Sequence, residues 1–459
     1  MELSVDKNQE MLQSGSFTKL LLKLSLPAVI VMLVTVLYNM ADTFFIGQTG
    51  DPNKINAVSL SSPIFSIISG LGTLLGSGGC TAISLQLGKG EYGKVKSITS
   101  FCCAGSVLIG ILFAVFVPIF LEPICRVLGA DNATLKDTCD YLFIIAVGSP
   151  FVIFNTVFSN IIRANGAAIA SMVSNVLGTA VNIILDAVFI VGLSLDVKGA
   201  ALATVVGNAC GCIFLVFYIC KKQKIFSLNP KNIRFKYDTI VPVLTLGLPM
   251  TFSTILMSLS HVLSNRLMMG HDPIALAAQQ VSGKIGMLIT MLIIGICMGL
   301  QPAISYNFGS KNLKRMSEII RKTVIFTVSL GAILAVICFF ARDTVIRIFI
   351  DDAEVIAYGS IMVLASLITG PLYAVHQTCQ TFLQSTGKAS FATFVAVLDK
   401  GLFFIPVLYI LNYFFGAYGI VFTGAVTLVF SLAVSVALSI FWLRKVKKQN
   451  AASEPVPQN

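Results

Sequence analysis

The chain has 459 residues, 56% of them hydrophobic and only 12% charged, with a formal net charge of +11. Soluble domains carry about 25% charged residues, so a chain this apolar lacks the polar surface to face water and puts most of its exterior in lipid. Its Lys and Arg residues gather in a few loops, which argues against nucleic acid as a partner and for membrane topology and anionic lipid headgroups.

Residues 1–17 are polar with both charge signs and lack the basic region, apolar core and small-residue cleavage site of a signal peptide. The first apolar run is therefore expected in the mature protein. A helix takes about 20 apolar residues to cross a bilayer. On that measure twelve spans follow in order, near 20–46, 55–87, 95–121, 138–162, 168–194, 199–220, 240–269, 274–308, 319–341, 355–384, 389–414 and 417–442. Several exceed about 25 residues, so tilt, bends or stubs beyond the lipid are expected. Eleven cysteines, Cys80, Cys102, Cys103, Cys210, Cys212, Cys297 and Cys338 among them, lie mostly inside these runs. With no CxxC pair and no His/Cys cluster at metal spacing, they are expected as small buried hydrophobes with free thiols.

The loops set the orientation. Lys89, Lys94 and Lys96 follow span 2; Lys221, Lys222, Lys224, Lys231, Arg234 and Lys236 follow span 6; Lys311, Lys314, Arg315, Arg321 and Lys322 follow span 8; Arg444, Lys445, Lys447 and Lys448 follow span 12. Loops after odd spans are richer in acid, with Asp51, Asp131, Asp137, Asp196, Asp272, Asp351, Asp352 and Glu354. By the positive-inside rule both termini and the even-numbered loops are expected in the cytoplasm.

The second half repeats the first at an offset of 221 to 222 residues. Pro27 maps onto Pro249, Ala82-Ile83-Ser84 onto Ala303-Ile304-Ser305, Gly88 onto Gly309, Arg126 onto Arg347, Pro150 onto Pro371 and Gly166 onto Gly387. The expected fold is an all-α membrane protein: twelve transmembrane helices in two six-helix bundles related by a pseudo-two-fold along the membrane normal, with a cavity between them. The boundaries are 1–221 for the first bundle, 222–238 for a basic cytoplasmic linker, 239–443 for the second bundle and 444–459 for the tail.

An ionisable side chain deep in a span is a functional candidate. Asp42 in span 1, Asp186 in span 5 and Asp399 in span 11 qualify. Asp186 follows Asn182 by four residues, on one helix face. Asp186 lies ten residues before Asp196, or about 15 Å at helical rise, and Asp42 lies nine before Asp51. The two acids should thus sit at similar depth toward the outer leaflet, with Tyr38 and Asn39 just before Asp42, Thr204 near the outer end of span 6, and Tyr141 entering span 4 from that side. Carboxylates, an amide and a hydroxyl at one depth can bind Na⁺ through oxygen (Asp42, Asn182, Asp186, Thr204), or hold a proton shared between two acids that repel one another when both are charged. The alternative is local: buried hydrogen bonds for Asn182 and Thr204 and nearby cations for the acids.

The halves are chemically unequal, since Asp42 falls on Ser264, Asp186 on Val407 and Asn182 on Phe403. Asp399 stands beside Lys400, so it is either a site residue or locally neutralised. His261, Gln279, Gln280, Lys284, His376 and Gln377, together with Asn155 at the repeat position of His376, are candidates for lining the central cavity. Met268, Met287, Met291 and Met298 serve equally well as an adaptable ligand surface or as ordinary packing.

Taken together, Pro27, the run Tyr38-Asn39-Met40-Ala41-Asp42 with Gly47, Asn182 to Asp186, Gly199 to Thr204, Pro150 through Asn155 and the paired Ala-Ile-Ser segments resemble the multidrug and toxic compound extrusion (MATE) family over essentially all twelve spans. The N-terminal pattern is similar to its MepA-like bacterial branch. The resemblance implies a secondary active multidrug efflux antiporter that exports drugs, often cationic, in exchange for H⁺ or Na⁺ by alternating access. It implies that Asp42, Asn182, Asp186 and Thr204 form a first-lobe cation site with Tyr38 and Tyr141 around it, and that the first helix bends at Pro27. No cofactor beyond the coupling ion, no ATP and no enzymatic reaction is expected, and the chain has no GxxxxGK[ST] loop. The expected partners are small-molecule drugs and membrane lipids, and the protein is expected to act as a monomer. The competing expectations are a lipid-linked sugar flippase of the wider superfamily, which needs a strongly cationic cavity, and a channel, in which the acids set selectivity.

Overall fold

The computed structural model describes residues 7–233, 236–271, 273–349 and 353–451. Arg234, Asp272, Asp351 and Asp352, and residues 452–459 of the predicted tail, lie outside them. Ten spans run Phe17–Gly47, Pro52–Gly88, Tyr92–Ile119, Leu135–Ile161, Ala168–Gly192, Asp196–Lys222, Tyr237–Met269, Pro273–Gly309, Leu313–Phe349 and Ala353–Ser385. The helical stretch that remains, Ala389–Asn450, has 62 residues and crosses twice. Gly416, at φ 57° and ψ −135°, breaks it, a conformation that only glycine enters readily. Beyond the break the chain folds back. A Cβ on Gly419 would lie 2.0 Å from the Leu411 carbonyl, and the ring pairs Phe403–Phe430 and Phe391–Phe441 stand 6.0 and 6.4 Å apart. Spans 11 and 12, residues 389–415 and 417–451, are therefore an antiparallel pair, and the count is twelve.

Three predicted ends move furthest. Span 9 begins at Leu313 rather than near 319 and extends to Phe349, and span 12 extends to Ala451, because charged residues at a helix end project past the lipid without ending the helix. The segment 1–17, expected only as polar, holds a helix, Lys7–Ser14, in which Met11 and Leu12 are buried.

Span 1 carries the expected proline. It is α-helical over Phe17–Leu20, π-helical over Leu21–Ser25 and α-helical again from Leu26, with the buried Pro27 in the first turn after the change. Proline removes an N–H and pushes on the carbonyl four residues back, and the widened turn immediately before it accommodates that clash.

In the first lobe span 4 packs on spans 2, 3 and 6, and span 5 on spans 1 and 6; in the second, span 10 packs on spans 8, 9 and the 11–12 pair, and span 7 on span 11. The lobes meet through spans 1 and 8, spans 2 and 7, and spans 2 and 8. Glycines set the approach. A Cβ on Gly78 would sit 1.9 Å from the Val243 carbonyl oxygen, and one on Gly247 2.0 Å from that of Leu74. The repeat image of Gly78 is Gly299, whose Cβ would fall 2.5 Å from Ser25 Cα. A Cβ on Gly88 would fall 2.1 Å from the Tyr306 carbonyl oxygen, and one on Gly309 2.3 Å from that of Leu85. Under the offset each of these last two contacts is the image of the other, so the pseudo-two-fold passes between them.

Hydrogen bonds follow the same seam. Ser25 Oγ donates to the Ile296 carbonyl (3.2 Å), Gln301 Nε2 to Thr81 Oγ1 (2.8 Å), and Gln384 Nε2 to Ser77 Oγ (2.9 Å). Thr251 Oγ1 reaches the Gly70 carbonyl at 3.3 Å, further along the spans. These contacts hold the lobes together from the face that carries both termini to mid-membrane. Beyond them, spans 1, 2, 7 and 8 present exposed apolar side chains, Leu37, Met40, Ile67, Leu259, Val262 and Met287 among them.

Candidate functional site

Small residues place the polar groups of the first lobe. Spans 5 and 6 touch backbone to backbone where a Cβ on Gly207 would meet the Gly178 carbonyl at 2.5 Å and Asn182 Cβ at 3.0 Å. One turn away from that contact on each helix stand Asn182 and Thr204, both buried, with Asn182 Nδ2 3.5 Å from Thr204 Oγ1. Tyr38 crosses from span 1, its hydroxyl hydrogen-bonded to Thr204 Oγ1 at 3.1 Å. The α-helix of span 5 ends at Asp186 and continues as a π-helical turn, Ala187–Gly192, a distortion common at functional sites.

Asp186 is fully buried, and Asp42 on span 1 is half-buried with its Oδ1 inside. The two carboxylates feel each other's charge, and Tyr38 and the buried Tyr141 lie within electrostatic reach of both. Among the described residues neither acid has a Lys, Arg or His at ion-pair distance. Asp42 Oδ1, Asn182 Oδ1 and both carboxylate oxygens of Asp186 are buried with no hydrogen-bond donor facing them. Buried polar atoms in native proteins are almost always satisfied. Four oxygens left without a donor around two carboxylates form a set that accepts a proton or ligates a hard cation such as Na⁺.

The network extends to Asn155 and to two residues the sequence did not single out, Ser174 and Asn208. Asn155 donates from Nδ2 to Asn208 Oδ1 (3.2 Å) and accepts from Ser174 Oγ (3.1 Å), and Asn208 Nδ2 donates to the Thr204 carbonyl (2.9 Å). Asn155, expected at the central cavity, instead belongs to the polar interior of the first lobe. Asn208 was legible in principle, four residues after Thr204 on the same helix face.

The second-lobe candidates form separate groups. Gln279 Nε2 donates to Ser264 Oγ (3.0 Å) and Gln280 Nε2 to Asn265 Oδ1 (3.2 Å), joining span 8 to span 7. Lys284 and His261 are exposed, and His261 is within electrostatic reach of Lys400. His376 and Asp399 come together with Lys400, whose Nζ is 2.7 Å from Asp399 Oδ2 while His376 Nε2 is 3.8 Å from it. Neighbouring residues on an α-helix diverge, but span 11 is π-helical over Leu398–Leu402, and the pair closes there. Lys400 also faces the Tyr373 ring at 5.7 Å. Asp399 is thus neutralised locally, whereas Asp42 and Asp186 are not.

This predicts an asymmetry in stability. Asp399→Asn strands Lys400 and lowers the melting temperature of the purified protein. Removing one partner of a fully buried pair costs about 3–5 kcal/mol, and less here because 28% of the Lys400 side chain is exposed. Adding Lys400→Met restores it. A normal melting temperature for Asp399→Asn, combined with complete loss of export, moves cation coupling into the second lobe.

Two six-helix lobes closed at one face, with a pair of acidic side chains inside one of them, have the architecture of a membrane transporter. The MatE family model matches residues 27–188 and again 249–410, the same repeat seen in the sequence and in the seam. The multidrug export protein MepA of Staphylococcus saprophyticus is 33% identical over 409 residues, covering 89% of this chain and 90% of that one. A crystal structure of a MATE protein in complex with MaL6 superimposes with a TM-score of 0.91 at 20% identity, over 96% of this chain and 100% of the other. An outward-facing multidrug resistance MATE transporter superimposes with a TM-score of 0.90 at 20% identity, over 97% and 99%. The chain belongs to the MATE family of membrane transporters.

Proposed function

We propose that the protein exports drugs, cationic ones among them, across a bacterial inner membrane in exchange for H⁺ or Na⁺. The observation that carries this is the carboxylate pair Asp42 and Asp186, three of whose oxygens are buried without a hydrogen-bond partner and, among the described residues, without a cation at ion-pair distance, in the lobe that also holds the Tyr38–Thr204–Asn182 hydrogen bonds. Orientation follows from charge. The face with both termini carries the basic loops, while on the opposite face Lys54 is tied to Asp196 at 2.8 Å and Lys198 to Asp140 at 3.2 Å. With the basic face in the cytoplasm, the sealed seam is cytoplasmic and this is the outward-open state.

In that state a cation reaches Asp42 and Asp186 from outside. Binding removes the repulsion between the carboxylates, which lets spans 1, 5 and 6 repack and weakens the hold on drug. The emptied protein then opens inward, releases the cation and takes up the next drug, with Gln280, Lys284 and His261 on spans 7 and 8 beside its path. Cation and drug favour different conformations, so each lowers the other's affinity by the same factor. One copy of the chain contains every residue this cycle uses, and no ATP or enzymatic step enters it. A flippase would draw on free deep cations, and Lys400 is engaged by Asp399.

The test is ethidium flux in proteoliposomes under an imposed H⁺ gradient or an imposed Na⁺ gradient. One of the two should accelerate export, and its collapse should stop it. Flux that ignores both gradients defeats the proposal.

A further inference from the structure

We infer that the helix Lys7–Ser14 is a latch that clasps both lobes on the cytoplasmic side and leaves one of them each time the protein opens inward. On the first lobe, Gln9 Nε2 donates to Asn165 Oδ1 (3.3 Å) at the end of span 4, and Tyr92, at the start of span 3, donates its hydroxyl to Gln9 Oε1 (3.2 Å). Asn165 Nδ2 in turn donates to Gln223 Oε1 (2.9 Å), just past span 6. On the second lobe, Asn307 Nδ2 of span 8 donates to the Leu12 carbonyl (2.9 Å), and the Arg315 guanidinium of span 9 donates to the Gly15 carbonyl.

Burial binds the helix more firmly than these bonds. Leu12 is 0% and Met11 4% exposed, in one apolar cluster with Ile161 and Ile162 of the first lobe and Leu300, Ile304 and Ile319 of the second. A Cβ on Gly166 would touch Asn8 and Met11 at 3.3 and 3.4 Å. The helix spans eight residues, and an isolated helix shorter than about 12–15 residues is marginal in water, so these contacts are what keep it folded. They bridge the seam beside the Gly88–Tyr306 and Gly309–Leu85 contacts, where opening inward must separate the lobes. No separation preserves both sets of bonds.

This rests on the alternating-access reading, so the test reads conformation as well as transport. In a cysteine-free background, Ser77→Cys reports the seam, since Ser77 is 2% exposed and accepts a bond from Gln384 of the other lobe. An impermeant maleimide is applied to the cytoplasmic side of inside-out vesicles. Leu12→Asp, and more mildly Asn307→Ala, should speed labelling severalfold, while Glu10→Gln, on the exposed side of the same helix, should not. Unchanged labelling in a monodisperse Leu12→Asp protein overturns the latch and leaves the export proposal standing. Where Leu12→Asp fails to fold, the pair Leu12→Cys and Asn307→Cys decides. Closing it with a short, reductant-cleavable bis-methanethiosulfonate should arrest export until reductant is added, and full-rate export by the closed form overturns the latch. A wild-type chain that exports nothing under either gradient, whatever the labelling shows, defeats the transport reading instead.

Discussion

Asp186→Asn is expected to insert, fold and bind drug, yet lose gradient-driven export by about 5- to 150-fold, the span of typical coupling free energies. The exchange is close to isosteric, and no donor faces either oxygen of Asp186, so no hydrogen bond is broken. What disappears is the charge that a cation neutralises. Asp42→Asn should act in the same direction, and the double variant should be little worse than the more damaged single one, because the two carboxylates act as a unit. Initial rates of ethidium export in proteoliposomes, normalised to inserted protein, check this. Normal export by both single variants would place the coupling site elsewhere.

Gly78→Val is expected to drive the protein out of its outward-open state, and so is its repeat image Gly299→Val. At both positions the new side chain meets backbone of the opposite lobe, 1.9 Å from the Val243 carbonyl oxygen and 2.5 Å from Ser25 Cα. Neither backbone can step aside while the lobes stay closed, so the clash is relieved by opening the seam. Overpacking of this kind costs about 1–3 kcal/mol, or a shift of about 5- to 150-fold in the balance between the two states. Gly424→Ala, where a Cβ would find open space, serves as the control. Spin labels on opposite sides of the seam should report a larger separation in the valine variants, and an unchanged distance distribution in a folded variant contradicts the account of the interface.

Much of this was legible in the sequence because apolar length and repetition are strong signals. The break between spans 11 and 12 was expected where Gly416 makes it, and the offset that pairs Gly88 with Gly309 describes the symmetry of the seam itself. Depth counting from Asp51 and Asp196 placed Asp42 and Asp186 on a common level, and both tyrosines come to that level too. The rest was hidden for identifiable reasons. Asn155 and Asn208 join through a contact between helices, which no spacing within one helix encodes. Asp399 and Lys400 are adjacent in sequence, which leaves open whether their side chains meet; in the structure they do, within a π-helical turn. The helix Lys7–Ser14 has only a few apolar residues among polar ones, and a hydropathy window calibrated on spans passes over it even though Leu12 is fully buried.

Drug affinity of the purified protein, measured as a function of pH and of Na⁺ concentration for the wild type and for Asp42→Asn/Asp186→Asn, tests the central claim most directly. If the cation and the drug oppose one another through these carboxylates, wild-type affinity falls as one of the two ions rises, and the double variant is flat to both. A double variant that keeps the wild-type dependence, or a wild type indifferent to both ions, contradicts it.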